Sequence, residues 1–361
     1  AAFTVNSSTQ ITATSPTHVS GTFDVQVTTA GGTTAATRTD LFTFTNWTDM
    51  APATLPGART DAAFAYDAAR NQTVLFGGSP VTFAAPGETW IWDGTNWKQV
   101  FPATSPTSRL GAAMAYDPVS KKVVLVGGDY CGDNCTSNDV WAWDGTNWTS
   151  ITTPKPPPLR HDAALAHTAA ALVLFGGSAG GYQNDTWVST DGGQNWSQMQ
   201  AIDALCRMAA PCPNQPALGV RPALADAPAG TVLLFEGDSF SASPQTWVWN
   251  GSGWSAGAAG PPNRAIAGLA YDRLRGQVVL FGGYQQGLIC TLPCPIGPLS
   301  DTWLWDGSAW TQDSPVTSPP PATAPPPPAL PVPRTFPLLA GDPRGGVVLY
   351  DGGPNDTWGY V

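Results

Sequence analysis

Six arginines recur at similar points of a repeating sequence, and each stands shortly before an alanine-rich segment. The chain carries a formal net charge of −10 and has 16 basic residues, so six of them gathered in one place would attract anions. Guanidinium groups bind carboxylates well, and an acidic sugar or a carboxylate peptide would suit such a ring. We therefore predict ligand-binding candidates at Arg59, Arg109, Arg160, Arg221, Arg264 and Arg334.

A second interpretation gives these arginines a structural role, as partners of acidic residues that open a later strand of the same repeat. The acidic residues are Glu88, Asp139, Asp185, Asp301 and Asp356. Five of the six repeats have such a residue, which favours pairing, whereas the fourth repeat has Gln245. If pairing stays within a repeat, Arg221 is the arginine left to bind a ligand.

The sequence has three histidines, and His161, followed by Asp162, directly follows one of these arginines. Such a pair could supply half of an acid/base system, but no partner nucleophile can be named for it. We keep His161 as a ligand-binding candidate and predict no catalytic residue, no cofactor and no metal. The chain is therefore predicted not to be an enzyme.

The six cysteines form three local pairs, each in a loop rich in glycine or proline: Cys131 and Cys135, Cys206 and Cys212, and Cys290 and Cys294. No histidine lies near any pair to complete a zinc site, which favours disulfides over metal binding or free thiols. Disulfides indicate an oxidising compartment, so we expect a secreted or cell-surface protein. Several Asn-x-Ser/Thr triplets would permit glycosylation.

The composition favours many short strands and turns. Only 12% of residues are charged, and the chain has 39 Gly, 36 Pro and 16 Trp. The acidic balance argues against a nucleic-acid partner, because phosphate binding needs a basic surface. The sequence shows no apolar run of membrane-spanning length, and no signal peptide is visible.

A repeated unit must position the arginines. The motif SDTWLWDGSAW and its relatives follow β-branched runs that end in glycine, such as VVLFGG. These segments, with the alanine-rich strand and a final tryptophan strand, predict four antiparallel strands per unit. Trp47 belongs to the repeat although its own unit lacks the preceding strands, and the last unit stops before its tryptophan. The N-terminal strand is thus predicted to complete the last unit and close a ring of six blades.

The double glycines, the TW-x-WDG turns and the final tryptophans together resemble Kelch repeats. The resemblance covers residues 46–361 and implies a six-bladed β-propeller, with FEGD in place of FGG in the fourth unit. The segment STDGGQNW is similar to the Asp-box of sialidases. Because WDGTNW occupies the same place in other units, we interpret this segment as a structural turn.

Residues 1–45 alternate apolar and polar residues in three runs, which is typical of a β-sandwich. The runs FTVNSSTQITATSP and GTFDVQVTTAGGTT, with DLFTFT, resemble the second half of an IPT/TIG domain, an immunoglobulin-like module. The resemblance implies a partial sandwich in which an apolar face and a strand edge lack partners. The predicted fold class is therefore all-β, with two domains at residues 1–45 and 46–361.

The order of the strands places the long loops on one face of the propeller. The connections between second and third strands, and between blades, hold the insertions 129–138, 197–220, 284–300 and 312–333. All six cysteines and the starts of the inner strands, hence the six arginines, lie on the same face. The proline-rich stretch 315–333 also lies there and is either a contact arm or an inert spacer.

Three hypotheses of function remain. The first is an extracellular adhesion or scaffold protein that could self-assemble, as a homo-oligomer or polymer, when a neighbouring copy completes residues 1–45. The second is a propeller that binds a glycan or a carboxylate, with a protein or glycan partner at the long-loop face. The third is an enzyme acting on acidic sugars, similar to a Kelch-type mutarotase or oxidase.

Overall fold

The computed structural model describes residues 2–7, 10–14, 21–24, 27–29, 32–33, 41–44, 46–79, 87–130, 135–201, 215–217, 221–236, 246–262, 264–285, 297–313, 331, 337–351 and 355–360. Within these ranges the chain is all-β and contains no α-helix, apart from one 3₁₀ turn at Pro228–Gly230. Six four-stranded antiparallel sheets make up a six-bladed β-propeller, as predicted.

The N-terminal segment contains six short strands, which pair two by two. The strands are β1 (Ala2–Ser7), β2 (Gln10–Thr14), β3 (Gly21–Asp24), β4 (Thr28–Thr29), β5 (Gly32–Thr33) and β6 (Leu41–Phe44). β1 pairs with β2, β3 with β6 and β4 with β5, all antiparallel. Among the described residues no larger sheet joins these pairs, so an immunoglobulin-like sandwich is not seen.

Blades one to three follow one another along the chain after a short strand, β7 (Trp47–Asp49). Blade one consists of β8 (Ala63–Asp67), β9 (Gln72–Phe76), β10 (Thr89–Trp92) and β11 (Trp97–Val100). Blade two consists of β12 (Ala113–Asp117), β13 (Lys122–Asp129), β14 (Thr136–Trp143) and β15 (Trp148–Ile151). Blade three consists of β16 (Ala164–His167), β17 (Leu172–Ser178), β18 (Tyr182–Ser189) and β19 (Ser197–Gln200).

Blades four to six repeat this order, with one additional strand pair. Blade four consists of β20 (Ala223–Ala227), β21 (Thr231–Phe235), β22 (Thr246–Trp249) and β23 (Trp254–Ala256). Blade five consists of β24 (Gly268–Asp272), β25 (Gln277–Phe281), β28 (Thr302–Trp305) and β29 (Trp310–Asp313), and its loop holds the pair β26 (Tyr284–Gln285) and β27 (Gly297–Pro298). Blade six contributes β30 (Leu338–Gly341), β31 (Val347–Asp351) and β32 (Asp356–Tyr360).

The fourth strand of blade six is β7, from the other end of the repeat. It pairs antiparallel with β32, so that Trp47 lies opposite Tyr360 and Asp49 opposite Trp358. Each innermost strand also contacts the innermost strands of both neighbouring blades, which closes the ring. The predicted closure by an N-terminal strand is confirmed.

Apolar side chains of the second strands fill the space between neighbouring blades. Between blades one and two, Val74 and Phe76 of β9 pack with Val123 and Leu125 of β13. All four side chains are fully buried, and each such burial stabilises the fold by roughly 1.5–3 kcal/mol. The β-branched runs in the sequence therefore form the core of the ring.

The double glycines allow one blade to approach the next. Gly77 and Gly78 have φ angles of 69° and 87°, which favour glycine. A Cβ on Gly77 would lie 2.6 Å from the backbone oxygen of Arg109, and the Gly78 N–H donates to that same oxygen over 3.1 Å. A side chain at Gly77 would thus separate the first two blades.

Candidate functional site

Arg160 forms a buried ion pair inside blade three. Its Nη1 and Nη2 donate to the two carboxylate oxygens of Asp185, each over 3.0 Å, and Nη1 also donates to the Gly176 carbonyl over 2.8 Å. The Trp187 indole donates to Asp185 over 2.6 Å, so this carboxylate is shared by two donors. Both charged side chains are at most 1% exposed. Arg160 therefore connects the second and third strands of its blade and is not available to a ligand.

The same arrangement recurs in blades one, two and five. The ion pairs are Arg59–Glu88, Arg109–Asp139 and Arg264–Asp301. Burial disfavours the charged form of Asp139, but the hydrogen bonds and positive charge of Arg109 outweigh it and lower the pKa of Asp139. Burial likewise raises the pKa of Asp301, but the hydrogen bond and positive charge of Arg264 outweigh this effect, so the pKa of Asp301 is lowered.

Four of the six predicted ligand-binding arginines are thus paired inside their own blades. Arg334 lies outside the described residues, although its predicted partner Asp356 is described and accepts a hydrogen bond from the Trp358 indole over 2.9 Å. Gln245 also lies outside the described residues.

Arg221 occupies a different position from the other arginines. Asp61, Asp162, Arg221 and Ile266 share a left-handed backbone, with φ between 54° and 59°, and each precedes the first strand of its blade by two residues. The four arginines that are paired inside their blades precede the first strand by four residues instead of two. By this count, position 219, a glycine outside the described residues, corresponds to the paired arginines. Grouping Arg221 with them was therefore wrong, because it stands two residues closer to the first strand of its blade. The six first strands surround a central channel, and Arg221 lies at the end of this channel where those strands begin.

At this entrance, Arg221 interacts with carboxylates from two other blades. It forms an ion pair with Asp61 of blade one, and its Nε lies 3.2 Å from Oδ1 of Asp162 in blade three. The Nδ1 of His161 lies 2.9 Å from Oδ2 of Asp162. The three charged side chains are between 18% and 27% exposed, so solvent reaches them. We call Asp61, His161, Asp162 and Arg221 the upper cluster.

A cavity of about 190 Å³ lies beside the upper cluster. Asp61, Asp162 and Arg221 line it together with apolar residues, including Pro222 and Ile266. Gly111 also lines it, and a Cβ at Gly111 would lie 2.4 Å from Oδ1 of Asp162. The left-handed conformation of Asp61, Asp162 and Arg221 costs about 1–3 kcal/mol per residue, and such strain is concentrated at functional sites. The upper cluster is therefore our main candidate site.

The opposite end of the channel has a second cluster, which was not predicted from the sequence. The fourth residues of the six first strands are Tyr66, Tyr116, His167, Asp226, Tyr271 and Gly341. All six, with Arg273, line a cavity of about 90 Å³, which we call the lower cavity. The one available signal lay in the sequence: the first strands of blades one, two and five end in Ala-Tyr-Asp, whereas blades three, four and six depart from this pattern.

His167 and Asp226 form an ion pair in the lower cavity. The His167 Nε2 lies 2.9 Å from Oδ2 of Asp226, and the His167 backbone N–H donates to Oδ1 over 2.8 Å. Burial opposes protonation of His167, but the charge and hydrogen bond of Asp226 outweigh it and raise the pKa of His167 to about 9. Desolvation of Asp226 is likewise outweighed by His167, so the pKa of that carboxyl is lowered. His167 is consequently a cation at neutral pH.

The turns between third and fourth strands are structural, as expected. Oδ1 of Asp93 accepts hydrogen bonds from the backbone N–H groups of Thr95 and Asn96, each over 2.8 Å. In the segment similar to the Asp-box, Asp191 accepts from the backbone N–H of Asn195 over 2.9 Å, and the Trp196 indole donates to the Gly193 carbonyl. These bonds use the aspartates to shape the turns.

Of the six cysteines, only Cys135 is described, and it forms a disulfide. Its predicted partner Cys131, together with Cys206, Cys212, Cys290 and Cys294, lies outside the described residues, as does most of the proline-rich stretch 315–333. In the described ranges no group of three or more histidine, cysteine, aspartate or glutamate residues could hold a metal ion. Nor do the described residues include a helix long and apolar enough to cross a membrane.

Comparisons with known proteins add no further identification, since neither a family model nor a curated protein matches the chain.

Proposed function

We propose that this chain is a Kelch-type propeller of a secreted or cell-surface protein, and that it acts in adhesion by binding a glycan at the upper cluster. The observation that carries the proposal is the meeting of Asp61, Asp162 and Arg221 beside a 190 Å³ cavity on the long-loop face. Carboxylates accept hydrogen bonds from sugar hydroxyls, and a guanidinium donates to them. Apolar neighbours such as Pro222 and Ile266 suit the C–H face of a pyranose ring.

The charges of the upper cluster favour a neutral glycan over a carboxylate ligand. Two carboxylates already interact with the single guanidinium of Arg221, so an additional anion would meet two negative charges. This changes the predicted chemistry of the arginine-bearing face. A ring of six arginines would select acidic ligands, whereas the upper cluster offers both hydrogen-bond donors and hydrogen-bond acceptors.

The family assignments rest on sequence patterns together with the architecture. The double glycines, the WDG turns and the buried tryptophans occur in four-stranded blades, which supports the Kelch-type assignment of residues 46–361. The IPT/TIG-like assignment of residues 1–45 rests on the sequence pattern, since the described strands β1 to β6 form three separate pairs. The disulfide at Cys135 supports an extracellular location.

A glycan array followed by titration of the best ligand tests the binding proposal. Asp162→Asn and Asp61→Asn remove charge without changing shape, and each is expected to weaken binding about tenfold or more. Asp306→Asn is the matched control, because Asn250 forms the equivalent turn in blade four with the same backbone bonds. Unchanged affinity in both Asp61 and Asp162 variants would exclude the upper cluster as the binding site.

The proposal assigns no catalytic step to the upper cluster. The His161–Asp162 pair contacts Arg221 through Asp162, which suits positioning of the carboxylate for binding. His161→Ala is therefore expected to weaken glycan binding, and neither the wild type nor this variant should convert a sugar. Conversion of an acidic sugar by the wild-type chain that His161→Ala abolishes would favour the enzyme hypothesis instead.

Self-assembly through residues 1–45 is a second proposal, favoured by exposed apolar side chains on β1. Phe3 and Val5 are 68% and 60% exposed and alternate along a strand whose described partner is β2 alone. We propose that a second copy covers these side chains by adding a strand. Size-exclusion chromatography and negative-stain imaging should show oligomers that Phe3→Ser/Val5→Ser reduces. A uniform monomer at all concentrations would contradict self-assembly.

A further inference from the structure

The lower cavity contains an arginine whose donors have no partner in the described structure. The Cζ of Arg273 lies 3.4 Å from the centroid of the Tyr66 ring, in a cation–π arrangement. No hydrogen bond or ion pair joins this guanidinium to any residue in the described ranges. Arg275, on the same turn, differs because its Nη1 pairs with Asp272 over 2.9 Å. Arg273 thus presents its donors to the cavity.

Gly341 makes the space that Arg273 occupies. Five blades have a larger side chain at the fourth position of the first strand, whereas blade six has this glycine. A Cβ at position 341 would lie 2.6 Å from Nη2 of Arg273 and 3.1 Å from Cβ of Tyr66. The glycine and the stacked Tyr66 ring together hold the guanidinium at the mouth of the cavity.

The neighbouring acidic groups are already engaged. Asp226, which also lines the cavity, is neutralised by His167 at 2.9 Å. Three buried aspartates at the base of the inner strands form ion pairs: Asp67 with Arg70, Asp272 with Arg275 and Asp342 with Arg344. Asp117 accepts a hydrogen bond from the Ser120 backbone and does not line the cavity. The Tyr116 ring packs edge-on against His167, with ring centroids 5.9 Å apart. Among the described residues that line the cavity, Arg273 is therefore the charged residue without an ion-pair partner.

We propose that the lower cavity is a second binding site, specific for the carboxylate group of a small organic acid. Arg273 donates a forked pair of hydrogen bonds to the two carboxylate oxygens, as planar guanidinium and carboxylate groups do. His167 adds positive charge nearby, while its own hydrogen bond goes to Asp226. A cavity of about 90 Å³ holds a carboxylate with a short stem and excludes a whole sugar ring. This site is at the opposite end of the channel from the upper cluster, so it neither requires nor supports the proposed glycan binding.

Isothermal titration calorimetry with sodium acetate and sodium glucuronate, at low ionic strength and neutral pH, tests this site. Saturable binding of acetate by the wild type is expected. Arg273→Gln should lower the affinity about tenfold or more, because it removes a charged hydrogen-bond donor. Lys121→Gln is the matched control, since it removes one positive charge from an exposed residue on the same face outside the cavity.

Gly341→Ala provides an independent variant that removes no polar group. It should displace the Arg273 guanidinium and weaken acetate binding, while thermal unfolding monitored by circular dichroism verifies that both variants are folded. Glucuronate, which carries a sugar ring, should bind much more weakly than acetate. Wild-type affinity in folded Arg273→Gln, no saturable binding of acetate, or binding of glucuronate as tight as that of acetate would overturn the proposal. Inorganic phosphate that competes as strongly as acetate would overturn the assignment to carboxylates.

Discussion

At the scale of single residues, burial decides what each arginine does. Arg160 is buried with Asp185 and satisfies a carbonyl oxygen as well, so its charge is fully committed to the fold. Arg221 stands two residues later in the repeat and reaches carboxylates of other blades. A shift of two positions along the chain therefore separates a structural arginine from one at a candidate site.

Removing the buried arginine should be much more damaging than removing its exposed counterpart. Arg160→Met leaves Asp185 as an unpaired buried charge, which typically costs about 3–5 kcal/mol of unfolding free energy. Arg59→Met should cost clearly less, because water can solvate Glu88, whose side chain is 50% exposed. Urea unfolding followed by tryptophan fluorescence measures both losses.

The double variant Arg160→Met/Asp185→Leu is the control for this explanation. It should recover part of the stability lost in Arg160→Met, since no isolated charge remains. Equal losses for Arg160→Met and Arg59→Met would show that burial of the carboxylate is not the deciding factor.

The ion pair between His167 and Asp226 predicts a pH-dependent stability. The pKa of His167 is raised from 6.5 to about 9, so its contribution is fully present below pH 6.5 and is lost as the pH rises through about 9. The pKa of Asp226 is lowered, so its contribution is lost only at acid pH. The melting-temperature difference between wild type and His167→Gln should therefore shrink between pH 6.5 and 9.

Asp226→Asn tests whether the pair causes that pH dependence. The neighbouring Tyr116 and Asp117 remain in this variant, so only the partner of His167 changes. The loss of stability between neutral pH and pH 9 should be much smaller than in the wild type. A melting-temperature difference for His167→Gln that stays constant over this range would refute the assignment.

At the scale of strands and blades, buried tryptophans connect neighbouring blades. In five of the six blades, the indole of the tryptophan at the start of the fourth strand donates to a threonine in the third strand of the preceding blade. The pairs are Trp97–Thr357, Trp148–Thr89, Trp254–Thr186, Trp310–Thr246 and Trp47–Thr302, at 2.8–2.9 Å. Blade two has Val140 at the threonine position, and the Trp196 indole of blade three donates instead to the Gly193 carbonyl. At the interface between blades two and three, the acceptor threonine is therefore absent from one blade, and the tryptophan of the other blade has a different acceptor.

Exchanging threonine and valine at this position should have opposite consequences in different blades. Thr89→Val leaves the buried Trp148 indole N–H without an acceptor, at a cost of about 1–3 kcal/mol, whereas Thr89→Ser keeps the hydroxyl and should lose less. Val140→Thr should not stabilise the protein, because the Trp196 N–H already has an acceptor. Denaturant unfolding of the three variants checks these expectations, and a stabilised Val140→Thr variant would contradict them.

The sequence predicted the blades well because their pattern is local. Strand alternation, Asp-Gly turns and terminal tryptophans lie within a few residues of one another, and Trp47 in phase with the later tryptophans predicted the closure. His161 and Arg221 were predicted as ligand-binding candidates, but their contacts with other blades and the whole lower cavity were not, because both sites combine residues from different blades. Asp61 and Arg221 are 160 positions apart, and only the closed ring brings them together. Arg221 could have been assigned correctly by counting back from the start of β20.

At the scale of the whole molecule, blade six joins the two ends of the repeat. Trp47 packs against Phe281 of blade five and Tyr360 of β32, with ring centroids 5.1 and 5.0 Å apart. The Tyr360 hydroxyl donates to Asp313 over 2.9 Å, and Asn46 donates to the same carboxylate over 2.9 Å. Strand β7 thus connects β32 to blade five, and the stability of the ring depends on a strand of three residues.

Truncating Trp47 should therefore open the ring at one place. Trp47→Ala is expected to cost about 3–5 kcal/mol, as deletion of a buried tryptophan does. Release of β7 would leave β32 as an unpaired edge, so hydrogen–deuterium exchange should show lost protection at residues 356–360 before other blades open. Trp254→Ala is the matched control, because this tryptophan is also buried and bonded to a threonine but lies in a blade formed by consecutive strands. Its exchange should increase around β22 and β23 and leave β32 protected. The same exchange pattern in both variants would mean that the closure is no weaker than any other blade, and the propeller would then unfold as one cooperative ring.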